Sequence, residues 1–426
     1  MVKDSILSIV SKGYAMVLFL VTDIVLARML GITEYAEWNF FYSFADMIFP
    51  IVWFGINVAS RVYVARCNTE KEVRIGIHGT TIARVGLSAV LVLVYSIISI
   101  KLPYYIGYPD KYGHLKSMIE LSIVYIFINS VAEFYKDLNI ALRNFKNILS
   151  ISVLEFTGYL GFSCFFLKYA GKTAVHVEWA YMCATIAIII LEIVQFRKFY
   201  SVTEAKENWD AIIAVTKQVL KDALPFLLIS CGTLILVEMD SFMIGLIKDG
   251  EEIATYSIAK KFCSKASHIN IAICASTMPI FAKLSFANVR EMKQRFRKIM
   301  AVNLGFTALV SFMFIVVVPQ LIPLFYGKEY ANAGIVLIAL TPYYIFNGIS
   351  KFLASFLDYQ RLTKKRGWFY LVAVVLNLVF NLLMIPKMGA YGAAIASSLS
   401  MVPYLAYMII KTGKVFKKFG EEANDK

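Results

Sequence analysis

The sequence has little charge and few residues of the kinds that carry metal or redox chemistry. Charged residues make up 17% of the 426 residues, and the chain has four histidines and six cysteines. No two cysteines form a CxxC pair and the histidines are scattered, so the residues predict no metal site and suggest free, packed thiols. The phosphate-binding pattern GxxxxGK[ST] is also missing, which excludes a built-in ATPase of the P-loop class.

Apolar residues dominate the chain. Hydrophobic residues account for 59% of the sequence, and the mean hydropathy is +0.66. A soluble domain does not have this composition, so the sequence predicts an all-α integral membrane protein. The net charge of +14 raises the question of nucleic acid binding, but in a membrane protein the first issue is which side of the membrane the basic residues occupy.

Long apolar runs divide the chain into about twelve candidate transmembrane helices. The first run is too long for a cleaved signal peptide and has no small-residue cleavage site, so we expect it to be retained. Runs of about 20 residues are long enough to cross the hydrocarbon core. The predicted spans are 5–30, 35–62, 76–100, 116–142, 147–168, 174–196, 217–247, 253–284, 299–325, 331–357, 367–386 and 390–411.

The distribution of lysine and arginine predicts the orientation of these spans. With twelve spans, both termini lie on one side, and the loops on that side hold roughly three times as many basic residues as the opposite loops. Both termini are therefore expected in the cytoplasm. Because topology accounts for most of the net positive charge, nucleic acid is not an expected partner.

The eighth predicted span carries charge where a membrane helix seldom does. Lys261, Lys265 and His268 lie within about 60° of one another around a helix, whereas Lys260 points about 100° away from Lys261. A lysine near the bilayer centre costs roughly 2.5–3.5 kcal/mol on insertion scales, so it needs compensation. Two readings remain open: a basic face that lines a water-filled cavity for an anionic substrate, or lysines that reach the interface or pair with acids on neighbouring helices.

The two halves of the chain resemble each other. When TDIVLARMLGITEYAEWNFFYSF is aligned with MDSFMIGLIKDGEEIATYSIAKKF, Asp23 matches Asp240 and Glu34 matches Glu252. An even number of spans in each half makes this a parallel repeat. We expect a six-helix lobe at 1–200, a polar cytoplasmic linker at 201–216, a second six-helix lobe at 217–412 and a cytoplasmic tail at 413–426. Within the first lobe, Glu133, Lys136 and Asp137 are spaced to neutralise one another on one helix.

Several short motifs together carry a family resemblance over nearly the whole chain. They are LARMLG followed by EYAEW, FGINVASRVYVAR, EEIATYSIAKKF and DYQRLTKKR. With the number of spans and the two-lobed organisation, they resemble the polysaccharide transport proteins of the multidrug/oligosaccharidyl-lipid/polysaccharide exporter superfamily, the group of the Wzx-type O-antigen and capsule flippases. The resemblance implies two six-helix lobes around a central cavity, and alternating access that moves undecaprenyl-pyrophosphate-linked oligosaccharide across the bacterial cytoplasmic membrane.

The resemblance also implies roles for particular residues. The cavity positions expected to act on the pyrophosphate are Lys12, Lys261 and Lys265, with His268 on the same face as the last two. Positions expected to act in ion coupling or gating are Asp23, Asp46 and Asp240. No catalytic residue, cofactor or metal is implied. Expected partners are the lipid-linked oligosaccharide, membrane lipids, and the polysaccharide polymerase and chain-length machinery.

Two other functions stay open at this point. A multidrug exporter of the same superfamily would usually carry cations, which disfavour three lysines in one span. An O-antigen polymerase or ligase also uses lipid-linked sugars, but it normally needs a sizeable outer loop. The longest predicted outer loop is only the segment from Lys101 to Lys116, so we expect a transporter and not an enzyme.

Overall fold

The computed structural model describes residues 2–105, 111–200, 206–248, 250–277, 289–359 and 366–424, which are mostly helical and contain no β-strand. A helix satisfies its backbone hydrogen bonds within the segment, which hydrocarbon requires because it offers no water as a partner. The predicted all-α class is therefore confirmed.

The helices are numbered in chain order. The first half holds α1 (Val2–Trp53), α2 (Ile56–Ala65), α3 (Glu70–Ser99), α4 (Leu102–Tyr105), α5 (Leu115–Ala141), α6 (Phe145–Tyr169) and α7 (Ala174–Phe196). The second half holds α8 (Trp209–Ile247), α9 (Gly250–Thr277), α10 (Val289–Phe312), α11 (Val318–Phe325), α12 (Asn332–Tyr359), α13 (Arg366–Ser400) and α14 (Val402–Asn424). A π-helical turn, Met313–Val317, joins α10 to α11.

The described helices accommodate the predicted crossings. Eight segments are long and apolar enough to span a membrane, and two of these, Val10–Trp53 and Arg366–Lys417, have 44 and 52 residues. At 1.5 Å per residue they extend about 66 and about 78 Å, enough for two crossings each. Each is broken at a glycine with positive φ, Gly31 (φ 74°) and Gly389 (φ 55°). With the long helices α8 and α9, the helices provide for about twelve crossings.

One predicted span differs from the structure. The apolar run 35–62 was expected to form one helix, but α1 ends at Trp53 and α2 begins at Ile56. Phe54 and Gly55 between them both have positive φ, 46° and 68°. A phenylalanine is rarely found in this conformation, so apolar periodicity alone gives no sign of the break. The predicted end of the eighth span at Leu284 lies outside the described residues.

The chain divides into two compact units, Met1–Phe242 and Met243–Lys426. The division falls inside α8, because the first half of α8 packs against α2 and α3 in the first unit. The buried residues of that contact are Ile56, Ala59, Ala83, Val215, Val219 and Ala223. The Thr216 hydroxyl also donates a hydrogen bond to the Gly79 carbonyl (3.0 Å). The six-helix lobes expected at 1–200 and 217–412 stay a prediction.

Matching glutamates of the two halves accept hydrogen bonds from the backbone N–H groups at the starts of matching helices. Glu34 accepts a hydrogen bond from the Ala174 backbone N–H at the start of α7 (2.7 Å). Glu252, its match in the sequence repeat, accepts one from the Ala390 N–H just after the Gly389 break (2.7 Å). Both carboxylates satisfy a backbone donor that has no partner within its own helix turn. This shared contact supports the internal repeat on structural grounds.

The other matched pairs are also alike in burial. Asp23 and Asp240 are both buried, as are Ala36 with Ala254 and Trp38 with Tyr256. The alignment therefore superposes positions with the same environment. Each half of the sequence repeats one local arrangement of a buried aspartate followed by a helix-capping glutamate.

We expect Glu252→Ala and Glu34→Ala to destabilise the purified protein to similar extents. Each variant leaves one backbone N–H at the start of a helix without its carboxylate acceptor. This should lower the free energy of unfolding by about 0.5–2 kcal/mol. The thermal midpoint in detergent measures this loss. Glu251→Ala is the matched control, because Glu251 is exposed one position away. An equal loss in the control would contradict the capping role.

The contact between α3 and α8 requires a glycine. A Cβ atom at Gly79 would lie 2.7 Å from Val215 Cβ and 2.8 Å from the Ile212 carbonyl oxygen, whereas one at Gly86 of the same helix would meet no atom within 4 Å. We therefore expect Gly79→Ala to lower the thermal midpoint. Gly86→Ala should leave it unchanged or raise it, because alanine favours a helix by about 1 kcal/mol over glycine. Equal effects of both variants would contradict this contact.

Candidate functional site

The basic face of α9 stands opposite its buried face. Lys261 and Lys265 are half-buried and His268 is exposed. From Lys261 onward, the residues on the far side of the helix, at about 140–200° from Lys261, include buried Cys263, Ala266 and Asn270. The preceding turns, from Ile253 to Ala259, are buried on every side. The helix therefore packs through an apolar face of small residues, and its lysines point away from the core of the second unit.

A buried asparagine fixes the rotation of α9. The Asn270 side-chain amide donates to the Thr307 hydroxyl of α10 (3.2 Å), and the Tyr344 hydroxyl of α12 donates to the Asn270 carbonyl oxygen (3.3 Å). Breaking such bonds would leave buried polar groups unpaired, at a cost of about 1–3 kcal/mol each. Asn270 thereby sets where Lys261 and Lys265 point. Sequence reasoning missed it, although a lone amide in an apolar span is itself a signal.

The acidic positions of the first unit lie among tyrosines. Asp23 is buried and accepts a hydrogen bond from the Tyr35 hydroxyl (2.9 Å). Asp46 is half-buried, and both aspartates are close enough to Tyr181 for their charges to act on it. The Tyr181 ring stacks on Tyr159 with centroids 4.1 Å apart. Asp23 and Asp46 therefore both lie near Tyr181.

The remaining predicted positions are more scattered. Asp240 is buried in α8, two residues after Glu238, which is also buried and acts electrostatically on Tyr42. Lys12 is exposed on α1, about 16 Å along the helix from Asp23. The described residues contain no group of three or more histidine, cysteine, aspartate or glutamate side chains placed to hold a metal ion.

A separate cleft of about 940 Å³ opens between α2, α3 and α8 in the first unit. Its charged side chains are of both signs, Arg66 and Lys221 against Glu72 and Asp222. Burial and the nearby Glu72 carboxylate raise the pKa of the Cys67 thiol in its wall, which disfavours the reactive thiolate. None of the predicted site residues lines this cleft, and its balanced charge does not favour an anion.

Solved structures share the fold of this chain. An inward-facing multidrug resistance MATE family transporter of the MOP superfamily is 14% identical, with a TM-score of 0.73 over 95% of this chain and 96% of the other. The lipid II flippase MurJ in an inward closed conformation is 15% identical, with a TM-score of 0.72 over 99% of this chain and 91% of the other. At such low identity these matches show the fold alone.

A third match differs in the character of its pocket. A MOP superfamily transporter from Pyrococcus furiosus, described as having a binding pocket of reverse polarity that suggests a different function, is 13% identical. Its TM-score is 0.62 over 98% of this chain and 96% of the other. None of the curated proteins matches the sequence of this chain.

Two family models match the sequence. The MatE model covers residues 225–383, and the polysaccharide biosynthesis protein model covers residues 1–285, which is more than half of the chain. The match to the polysaccharide biosynthesis protein model includes α9 and its basic face. The chain therefore belongs to the polysaccharide biosynthesis protein family. It is an integral membrane protein that shares its fold of about twelve helices with MOP superfamily transporters.

Proposed function

We propose that the protein is a flippase that moves undecaprenyl-pyrophosphate-linked oligosaccharide, an O-antigen or capsule repeat unit, across the bacterial cytoplasmic membrane. The observation that carries this proposal is the basic face of α9, with half-buried Lys261 and Lys265 turned away from the buried side of the helix. Family membership in polysaccharide biosynthesis and a fold shared with a lipid II flippase support it.

The chemistry of such a substrate matches the basic face. A pyrophosphate carries negative charge that cannot enter hydrocarbon unaided, and ammonium groups in a water-filled cavity compensate that charge. The undecaprenyl tail remains in lipid, while the sugars need polar volume. Lys261, Lys265 and Lys12 would bind the pyrophosphate, and His268 would extend the same polar face toward water.

Alternating access would expose this face to each side of the membrane in turn. The proposed arrangement is two six-helix lobes, 1–200 and 217–412, joined by a cytoplasmic linker at 201–216, with a cytoplasmic tail from residue 413 and both termini in the cytoplasm. The basic loop residues favour this orientation. Asp23, Asp46 and Asp240 would bind a proton or Na⁺ on the return step, because a buried carboxylate among tyrosines favours a bound cation.

Two rival functions remain distinct from this proposal. A multidrug exporter has support from the fold match to the MATE transporters, but a cationic drug would be repelled by the lysines of α9. A polymerase or ligase would act on the lipid-linked sugars after they have crossed. In the proposed pathway, the polymerase and chain-length machinery would be partners that use the flipped product, and the flippase itself would need no cofactor.

We expect Lys261→Ala and Lys265→Ala to abolish surface polysaccharide, because each removes a charge that compensates the pyrophosphate. The measurement is complementation of a strain that lacks the gene, with surface polysaccharide and membrane insertion both assayed. Lys260→Ala is the matched control, since Lys260 lies about 100° around the same helix and should support normal polysaccharide. Normal polysaccharide in both Lys261 and Lys265 variants would contradict the proposed site.

We expect Asp23→Asn to uncouple transport from the ion gradient. The amide keeps an acceptor for the Tyr35 hydroxyl but loses the charge that holds a proton or Na⁺. Reconstituted protein in vesicles with an imposed proton or Na⁺ gradient would show how transport of the lipid-linked oligosaccharide depends on that gradient. Tyr35→Phe is the control, because it removes the hydrogen bond and keeps the carboxylate. If Asp23→Asn kept the gradient dependence, its coupling role would be wrong.

A further inference from the structure

A second cluster of charges lies inside the first unit, apart from the proposed substrate and coupling positions. Lys136 of α5 is its centre and donates to Glu133 (3.1 Å) and to Glu155 of α6 (2.9 Å). The neighbouring Asp137 pairs with Arg61 of α2 (3.0 Å). The helix-local neutralisation expected for Glu133, Lys136 and Asp137 is therefore only part of the arrangement, which joins several helices.

Two further side chains complete the cluster. Arg84 of α3 is fully buried, donates to the Ser130 carbonyl (3.0 Å), and acts electrostatically on Asp137 and Glu133. Glu192 of α7 is fully buried and close enough to Glu133, Lys136 and Glu155 for their charges to act on it. The cluster thus joins charged groups of α2, α3, α5, α6 and α7, and Tyr125, Tyr159 and Tyr181 also lie close enough to Glu155 for its charge to act on them.

The charges of the cluster do not balance. Its acidic members are Glu133, Asp137, Glu155 and Glu192, and its basic members are Arg61, Arg84 and Lys136. If every group were ionised, one negative charge would remain inside a membrane-embedded helix bundle. An isolated buried carboxylate is strongly disfavoured there unless it binds a proton or a cation.

Glu192 is the group that lacks compensation. Both of its carboxyl oxygens are buried and have no hydrogen-bond partner among the described residues, whereas Glu133 and Glu155 each accept from Lys136 and Asp137 accepts from Arg61. One proton on Glu192 would make the whole cluster neutral. Lys136 and Glu133 have side chains that are 25% and 31% exposed, so the cluster is connected to the surface of the bundle and can exchange that proton with water.

We propose that the cluster of Glu133, Lys136, Glu155 and Glu192 is a proton-binding site of the first unit that holds one exchangeable proton, with Glu192 as the carboxyl that carries it. Its residues are different from Asp23 and Asp46, although Tyr125 and Tyr181 lie close enough to both Asp46 and Glu155 for their charges to act on them. Its helices end nearby, at Ala141 and Phe196. In the proposed orientation these are the cytoplasmic ends, so the proton would come from the cytoplasm.

Glu178 provides a matched comparison on the same helix. It is as fully buried as Glu192, and its carboxyl oxygens also lack a partner among the described residues. Burial is the influence that the structure assigns to Glu178, and Tyr95 lies close enough for the Glu178 charge to act on its hydroxyl. A carboxyl in this setting stays neutral, so Glu178→Gln should leave the charge of the protein unchanged.

The full-length protein in detergent tests the site through the pH dependence of its thermal midpoint. A carboxyl that is neutral in the folded state and ionised in the unfolded chain makes stability fall as the pH rises, and this holds for both Glu192 and Glu178. Glu192→Gln mimics the protonated form. We expect Glu192→Gln and Glu178→Gln each to reduce the fall between about pH 6 and about pH 9, and only Glu192→Gln to remove the pH-dependent infrared band of a protonated carboxylic acid.

Further readouts distinguish a bound proton from a bound Na⁺ ion. The infrared carbonyl band of a protonated carboxylic acid should weaken at alkaline pH in the wild type, and this pH-dependent band should be missing in Glu192→Gln. Lys136→Met, which removes a positive charge, should make the pH dependence steeper. The proposal is overturned if Glu192→Gln keeps the wild-type pH dependence, or if Na⁺ at constant pH restores the stability lost at alkaline pH. These measurements involve no transported substrate, so they do not depend on the proposed flippase activity.

Discussion

The cost of charge in hydrocarbon is the constraint on which the rest of this structure depends. It forces the described backbone into helices, whose hydrogen bonds are internal, and it requires a partner or water for each charged side chain within the membrane. The second unit meets this requirement by directing Lys261 and Lys265 away from its core. The first unit encloses its charges in a network that spans five helices.

The same constraint explains which features sequence reasoning could reach. Long apolar runs predicted the helices, and Gly31 and Gly389 mark where α1 and α13 turn. The break at Phe54 could not be predicted, because a phenylalanine with positive φ has no signal in apolar periodicity. Likewise, spacing along one helix suggested that Lys136 pairs with Glu133, but Glu155 and Glu192 reach it from helices that only the fold brings close.

The internal repeat links fold and function. Glu34 and Glu252 hold the starts of corresponding helices, and the aspartates that precede them are buried in both halves. Yet the halves differ in charge: the three lysines of α9 lie at positions where the first half has the uncharged residues Tyr42, Ser43 and Met47. One scaffold, used twice, therefore combines buried acidic side chains in the first unit with a basic helix in the second. An anionic substrate and a bound cation would each find the opposite charge in such a transporter.

The most direct test of the flippase is to delete the gene in its host and locate the lipid-linked intermediates. A flippase predicts loss of surface polymer and accumulation of single repeat units on undecaprenyl pyrophosphate at the cytoplasmic face of the membrane. Accumulation of repeat units at the outer face would contradict it, because the protein would then act after translocation, as a polymerase or ligase does.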